Sequence, residues 1–474
     1  MKTFLVALVA LILGFFIYGT IVDKFFKPTN APTPAITKRD GVDFLPLPAW
    51  KVFMIQLLNI AGLGPIFGAV GGALWGPGVY LWIVLGTIFA GGVHDYLSGM
   101  LSLREGGKSI TEVVGKYLGT GVLNFMRVFM VMLMILIGAV FTVGPAQLLE
   151  ILTDLNLQVL IVLILCYYFL ATLMPIDKVI GKIYPLFGVC FLVMAFGVMF
   201  GMIFSSSAEM PELQLANLHP DGLPIWPLMF VTVACGAVSG FHATQSPMMA
   251  RCITSEHLAR PIFYGAMVCE GVIALIWAAA AVTFFHGTGG LGAELSSGGA
   301  SSVVYKICQG FMDGGIGLVL AMIGVIVCPI TSGDTVLRSA RLVIADWFNI
   351  SQSFTRNRLM LSVPIIIVTG IITQLDYSVV WRYFAWTNQT VATIVLWAGA
   401  VYMSQKMRGN EFLIALVPAI FMTAVTTTYI LVAPEGFQLH SVLCTVAGIL
   451  VAGIFLARFK QTCRPNFKLN TKFT

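Results

Sequence analysis

Charge is what this chain has least of. Of its 474 residues only 10% are charged, while 58% are hydrophobic. A soluble domain carries about 25% charge, so a soluble fold is excluded for nearly the whole length. The net charge of +6 is scattered among loops rather than gathered on one face, and no nucleic-acid partner is expected. Catalytic signatures are missing too: there is no HExxH, Walker loop, GxSxG or CxxC. An enzyme, an ATP-driven pump and an organic cofactor therefore have no support. The nine cysteines form no disulfide framework. Cys166, Cys190, Cys235, Cys269, Cys328 and Cys444 lie inside apolar runs and read as small hydrophobes.

What the chain has is long apolar runs. Crossing a bilayer takes about 20 mostly apolar residues. Thirteen runs qualify, numbered here as spans 1 to 13: 3–22, 50–74, 79–102, 121–143, 157–174, 183–204, 225–249, 262–285, 315–333, 359–375, 382–404, 411–432 and 439–458. The fold class is an all-α polytopic membrane protein. Span 1 exceeds a signal-peptide core and is expected to be retained. On alternate loops the basic residues segregate: all but Lys2, Lys306 and Arg382 of the 27 fall on one side. The positive-inside rule then puts the N-terminus outside and the C-terminus in the cytoplasm. The proline-rich stretch 27–48 is expected to be extended. The Gly/Ser-rich stretch His286–Ser302 is expected to be an outer loop, followed by a short interfacial helix over 303–312.

Two spans are interrupted by similar clusters. One is Ile60-Ala61-Gly62-Leu63-Gly64-Pro65-Ile66-Phe67-Gly68 in span 2. The other is Ala234-Cys235-Gly236-Ala237-Val238-Ser239-Gly240-Phe241-His242 in span 7. Inside lipid, helix breakers are tolerated only where protein or a cavity receives the freed backbone groups. A pair of such spans in corresponding positions points to the substrate site of a secondary transporter. Five helices separate their starts, so spans 2–6 and 7–11 run in opposite directions: a five-plus-five inverted repeat. The chain divides into 1–49 (first helix and linker), 50–204 (first repeat), 225–404 (second repeat) and 405–474 (two peripheral helices and a basic tail). Close packing alone is the competing reading of the Gly64, Gly68 and Gly72 ladder.

Polar side chains in the spans are the next candidates, because burying them in lipid is costly. Asn59, one turn after Gln56, precedes the first break and can face a cavity with the backbone of Gly62 and Gly64. Ser239, Gly240, His242 and Gln245 surround the second break. There the positive end of a half-helix favours an anion such as a small carboxylate; the alternative is helix–helix hydrogen bonding. Asn388 and Gln389 in span 11 read as cavity lining or interhelical glue. Asp95 beside His94 in span 3 can carry a coupling proton or cap the end of the bundle. Asp334 follows the hydroxyl pair Thr331 and Ser332. Glu270 in span 8 is expected to face protein, without an assigned role. A transporter is the leading class. A channel or nutrient sensor is the alternative, but neither a filter nor a sensor domain is visible.

Several segments resemble the carbon starvation protein A family: 60–65, Gly91-Gly92-Val93-His94-Asp95-Tyr96, Gly107-Lys108-Ser109-Ile110-Thr111-Glu112, 234–242, Thr331-Ser332-Gly333-Asp334-Thr335-Val336-Leu337-Arg338 and Asn388-Gln389. The resemblance runs from about Asp40 to Asn388. It departs at His94-Asp95-Tyr96, where the family pattern has Gln-Asp-Phe, and the chain is shorter than long family members. The resemblance implies a leucine-transporter-like fold, the bacterial inner membrane, and ion-coupled uptake of short peptides or pyruvate linked to carbon starvation. It also implies a coupling ion, either H⁺ or Na⁺, the latter held by Thr331, Ser332 and the backbone of Ile60, Ala61 and Leu63. Beyond lipid and a small-molecule substrate, no obligatory partner is expected.

Overall fold

A computed structural model describes residues 1–40, 44–173, 176–205, 209–312, 315–352, 354–407 and 409–463. Among these residues the chain is helical, without strands. Helix fills most of the described length of twelve of the thirteen runs and both ends of span 7. Among the described residues, nine helices are long and apolar enough to cross a membrane, ten if the bent pair in span 2 is one crossing. Span 5 (Leu157–Leu173) is shorter. Span 11 (Tyr377–Lys406) carries Thr387, Asn388, Gln389, Thr390 and Thr393, which dilute its apolar character. Span 7 fails as one helix because it is broken.

The broken helices behave as breakers in lipid should. In span 2, Ala49–Ala61 ends at Gly62, whose φ of 25° and ψ of −142° leave the helical region. The helix resumes as a π turn at Gly64–Gly68, bent by 51°. In span 7, a π turn at Ile225–Met229 and one turn at Phe230–Thr232 stop well before His242–Ala250. The interruption is longer than the expected 236–240. π turns also open Thr87–Gly91 in span 3 and Arg260–Tyr264 in span 8. In the pairing expected from the sequence, span 2 with span 7 and span 3 with span 8, both pairs carry this over-wide turn, a frequent mark of functional helices.

Two stretches differ from expectation. Residues 286–302 form no irregular loop: helix runs Thr288–Phe311 with one kink at Gly299, where φ is 69°. Leu291 and Ser301 are fully buried there, so tertiary packing overrides the weak helix propensity of Gly and Ser. The linker also contains one helical turn, Pro34–Thr37; residues 41–43 and the tail from 464 lie outside the described residues. Between spans 3 and 4, Ile110–Leu118 forms an amphipathic helix opened by a Ser109–Glu112 capping box.

The glycine ladder has a packing explanation. A Cβ on Gly64 would collide with the Cys235 side chain, one on Gly68 would press on the Thr232 carbonyl, and one on Gly72 would meet Val233. The ladder lets the first half of span 7 lie against span 2, which brings the two breaks side by side.

Candidate functional site

The start of the second half of span 7 carries a buried cluster of four ionisable side chains. His242 Nδ1 lies 2.8 Å from Asp95 Oδ2, and His94 Nδ1 lies 2.8 Å from Asp95 Oδ1. On its other side His242 Nε2 lies 3.1 Å from Glu270 Oε2, an ion-pair distance without hydrogen-bond alignment. None of the four has exposed surface. A His ring whose two nitrogens both face carboxylates must carry both protons to favour both contacts. The three groups therefore share their protons, and the His94 Nε2 has no hydrogen-bond partner among the described residues. With both carboxylates ionised against one imidazolium, the dry site would carry a negative surplus. One added proton would cancel it, and buried net charge is what such a site resists.

This geometry revises two readings. His242 turns both ring nitrogens toward protein carboxylates in this arrangement, rather than toward a place for a substrate carboxylate. Asp95 does not cap the end of the bundle; it joins span 3 to span 7. Glu270, which had no role, is the third wall of the cluster. A signal for it was present: the expected repeat pairs span 3 with span 8, and each has one acidic residue in its apolar stretch.

Asn388 of span 11 organises the second break. Its Oδ1 accepts from Phe241 N–H at 2.7 Å and from Ser239 Oγ at 3.2 Å, while its carbonyl accepts from Gly240 N–H at 3.1 Å. Those donors were expected to face an anion; here Asn388 holds them. Gly240 packs directly on span 11, where a Cβ would strike the Asn388 carbonyl and Ala392 nitrogen. Freed carbonyls are also capped: Gly236 by Thr87 Oγ1 at 3.0 Å, Val233 by Trp82 Nε1 at 3.2 Å and Phe230 by Gln389 Nε2 at 2.6 Å. Gln389 is thus interhelical glue for the first half of span 7. Thr87 and Trp82 were not singled out beforehand, because nothing local in sequence marks a contact about 150 residues away.

The remaining candidates separate. Gln56 Nε2 reaches Ser246 Oγ at 3.4 Å, linking spans 2 and 7. Gln56 Oε1, Asn59 Oδ1 and Gln245 Oε1 are buried acceptors without a hydrogen-bond partner among the described residues. Gln245 Nε2 donates to Thr244 Oγ1 at 2.7 Å. In span 9, Thr331 Oγ1 donates to Val327 and Cys328 carbonyls of its own helix at 3.0 and 2.8 Å. Ser332 Oγ donates to the Leu58 carbonyl at 3.2 Å. Ser332 therefore does reach the first broken helix, but at Leu58 rather than at Ile60, Ala61 or Leu63. Both hydroxyls donate to carbonyls, Thr331 within its own helix and Ser332 across to span 2. Asp334 pairs with Arg338 at 3.4 Å, away from the four-residue cluster. No group of three or more His, Cys, Asp or Glu suited to a metal occurs among the described residues.

The model of the carbon starvation protein CstA family matches residues 1–150, 143–288 and 282–429. The chain belongs to the CstA family. An uncharacterized membrane protein of Haemophilus influenzae is 41% identical over 363 residues, covering 65% of this chain and 97% of that protein. The pyruvate/proton symporter BtsT of Escherichia coli is 28% identical, covering 54% of this chain and 45% of BtsT. The peptide transporter CstA of Bacillus subtilis is 27% identical, covering 57% and 56%. The chain thus spans about half the length of these named relatives. Crystal structures of the Eremococcus coleocola manganese transporter match with a TM-score of 0.52 at 12% identity, covering 88% of this chain and 94% of that one. The likeness is one of fold: an inverted-repeat, leucine-transporter-like core.

Proposed function

We propose that this CstA-family protein is a proton-coupled importer of a small carboxylate-bearing solute, working by alternating access in a bacterial inner membrane. One observation carries the reading: Asp95 is held between His94 and His242, with Glu270 behind, at the foot of the broken span 7. A buried cluster whose net charge changes by one with a single proton is a coupling device. It touches span 3 of the first repeat and spans 7 and 8 of the second, the elements that alternating access must move relative to one another. Proton is preferred over sodium because four ionisable side chains meet in one buried cluster, whereas Ser332 reaches Leu58 rather than Ile60, Ala61 or Leu63.

The carboxylate would bind between the breaks by displacing Asn388 Oδ1 from Phe241 N–H and Ser239 Oγ. In the closed arrangement the Asn388 oxygen stands in for one carboxylate oxygen at the positive end of the half-helix. The relatives named for pyruvate and for peptides both act on carboxylate-bearing solutes. Thirteen crossings, with the N-terminus outside, follow from the segregation of lysine and arginine.

The test is uptake into proteoliposomes without nucleotide, using radiolabelled pyruvate and alanyl dipeptides. A pH gradient, acid outside, should drive accumulation in sodium-free medium. Accumulation that requires sodium and ignores the pH gradient would move coupling to span 9. Equal uptake of the methyl ester and the acid would remove the carboxylate from the reading.

A further inference from the structure

A second polar cavity, of about 610 Å³, lies on the arginine-rich face next to span 9. Four arginines line it: Arg251 after the second half of span 7, Arg338 and Arg341 on span 9, and Arg358 at the start of span 10. Arg251 is tethered through Nε to the Gly107 carbonyl at 2.9 Å. Arg338 donates to the Ala171 carbonyl at 2.9 Å and pairs with Asp334. Arg341 is different. It is only 4% exposed, and its Nε and Nη1 have no hydrogen-bond partner among the described residues. Burial, and then the Arg338 and Arg358 charges, work against its charge, and Asp334 partly offsets them. A buried guanidinium in like-charged company is expensive unless something anionic completes it.

We propose that this cavity binds a small dianionic oxyanion, a dicarboxylate or a phosphate, presented from the arginine-rich side. Its four arginines face Asp346 on the wall and Asp334 on Arg338, which leaves a surplus of about two positive charges at neutral pH. A monoanion would cancel half of that; a dianion cancels it. Guanidinium forks match carboxylate and phosphate oxygens in pairs. Ala243 and Thr244 of the broken span 7 form the inner wall, so the anion would tie spans 7, 9 and 10 together beside the transport site. The site is separate from the four-residue cluster, and binding to it can be read without transport.

The full-length protein in low-salt detergent would be titrated with succinate, inorganic phosphate and monoanionic pyruvate. The readout is the ligand concentration giving half of the saturating rise in melting temperature, since a ligand stabilises by mass action. Succinate, phosphate or both should saturate at lower concentration than pyruvate; which one does so identifies the source. Arg341→Gln should raise that concentration roughly tenfold through loss of charge-assisted hydrogen bonds, with Arg341→Lys in between. Arg358→Gln, at a half-exposed position, should weaken binding without disturbing the fold. The proposal fails if neither dianion gives a saturable shift. It also fails if pyruvate saturates first, or if Arg341→Gln and Arg358→Gln bind dianions as the wild type does.

Discussion

The two broken helices differ more than their similar sequences suggest. Span 2 breaks over Gly62 and Leu63 and resumes at Gly64; the glycines that follow serve close approach to span 7. Span 7 stays unwound from Val233 to Phe241, and Thr87, Trp82, Gln389 and Asn388 receive its backbone groups. A long break in lipid is tolerable only with such partners. The first break is a packing joint. The second is a polar joint, with the ionisable cluster at its foot. Under the proposed coupling both repeats supply the chemistry, His94 and Asp95 from the first and His242 and Glu270 from the second.

Substitutions on the two joints should therefore separate. The largest effect is expected at the polar joint: Asp95→Asn should reduce proton-driven accumulation in proteoliposomes to passive equilibration, while substrate exchange without a gradient persists. Unchanged accumulation would detach the cluster from coupling. Gly240→Ala comes next. It drives a methyl into the Asn388 carbonyl and Ala392 nitrogen, costing about 1–3 kcal/mol by overpacking. Gly64→Ala meets a cysteine side chain and should cost less; thermal unfolding in detergent ranks them. Asn388→Ala leaves the buried Phe241 N–H unsatisfied, a loss of about 1–3 kcal/mol, and should also raise solute affinity if the carboxylate competes for the same donors. The smallest effect is expected at the packing joint. Ser332→Ala removes one interhelical hydrogen bond to Leu58, about 0.6 kcal/mol, and should leave uptake in sodium-free medium unaltered. Loss of uptake there would restore a cation role to span 9.

The helix breakers, the repeat and the helical character of twelve of the thirteen runs were legible because each is written locally: an apolar run, a Gly-Pro step, a cluster repeated at an odd helix offset. The cluster was half legible. His94 and Asp95 are neighbours, and His242 sits at a break, but their meeting crosses 147 residues. The span 3 to span 8 relation could have paired Asp95 with Glu270, since repeat symmetry carries long-range information that spacing does not. Asn388 was readable only as an amide in a membrane. Its three contacts depend on a β-carbon-free approach at Gly240, which tertiary structure alone reveals. Residues 286–302 were misread because Gly and Ser dominate them, while the buried Leu291 and Ser301 decide their conformation.

His242 straddles a seam. One ring face grips a carboxylate belonging to the first half of the molecule, the other a carboxylate belonging to the second, through contacts of 2.8 and 3.1 Å. A sliding of one half past the other by even an ångström must loosen one grip, because charge-assisted contacts are short. Under the proposed coupling the imidazole would work as a clutch: engaged on both sides it would lock the halves, and a proton reaching the loosened carboxylate would let them slip. Motion without a proton would leave a bare charge in a dry seam, so the same three side chains would resist leakage.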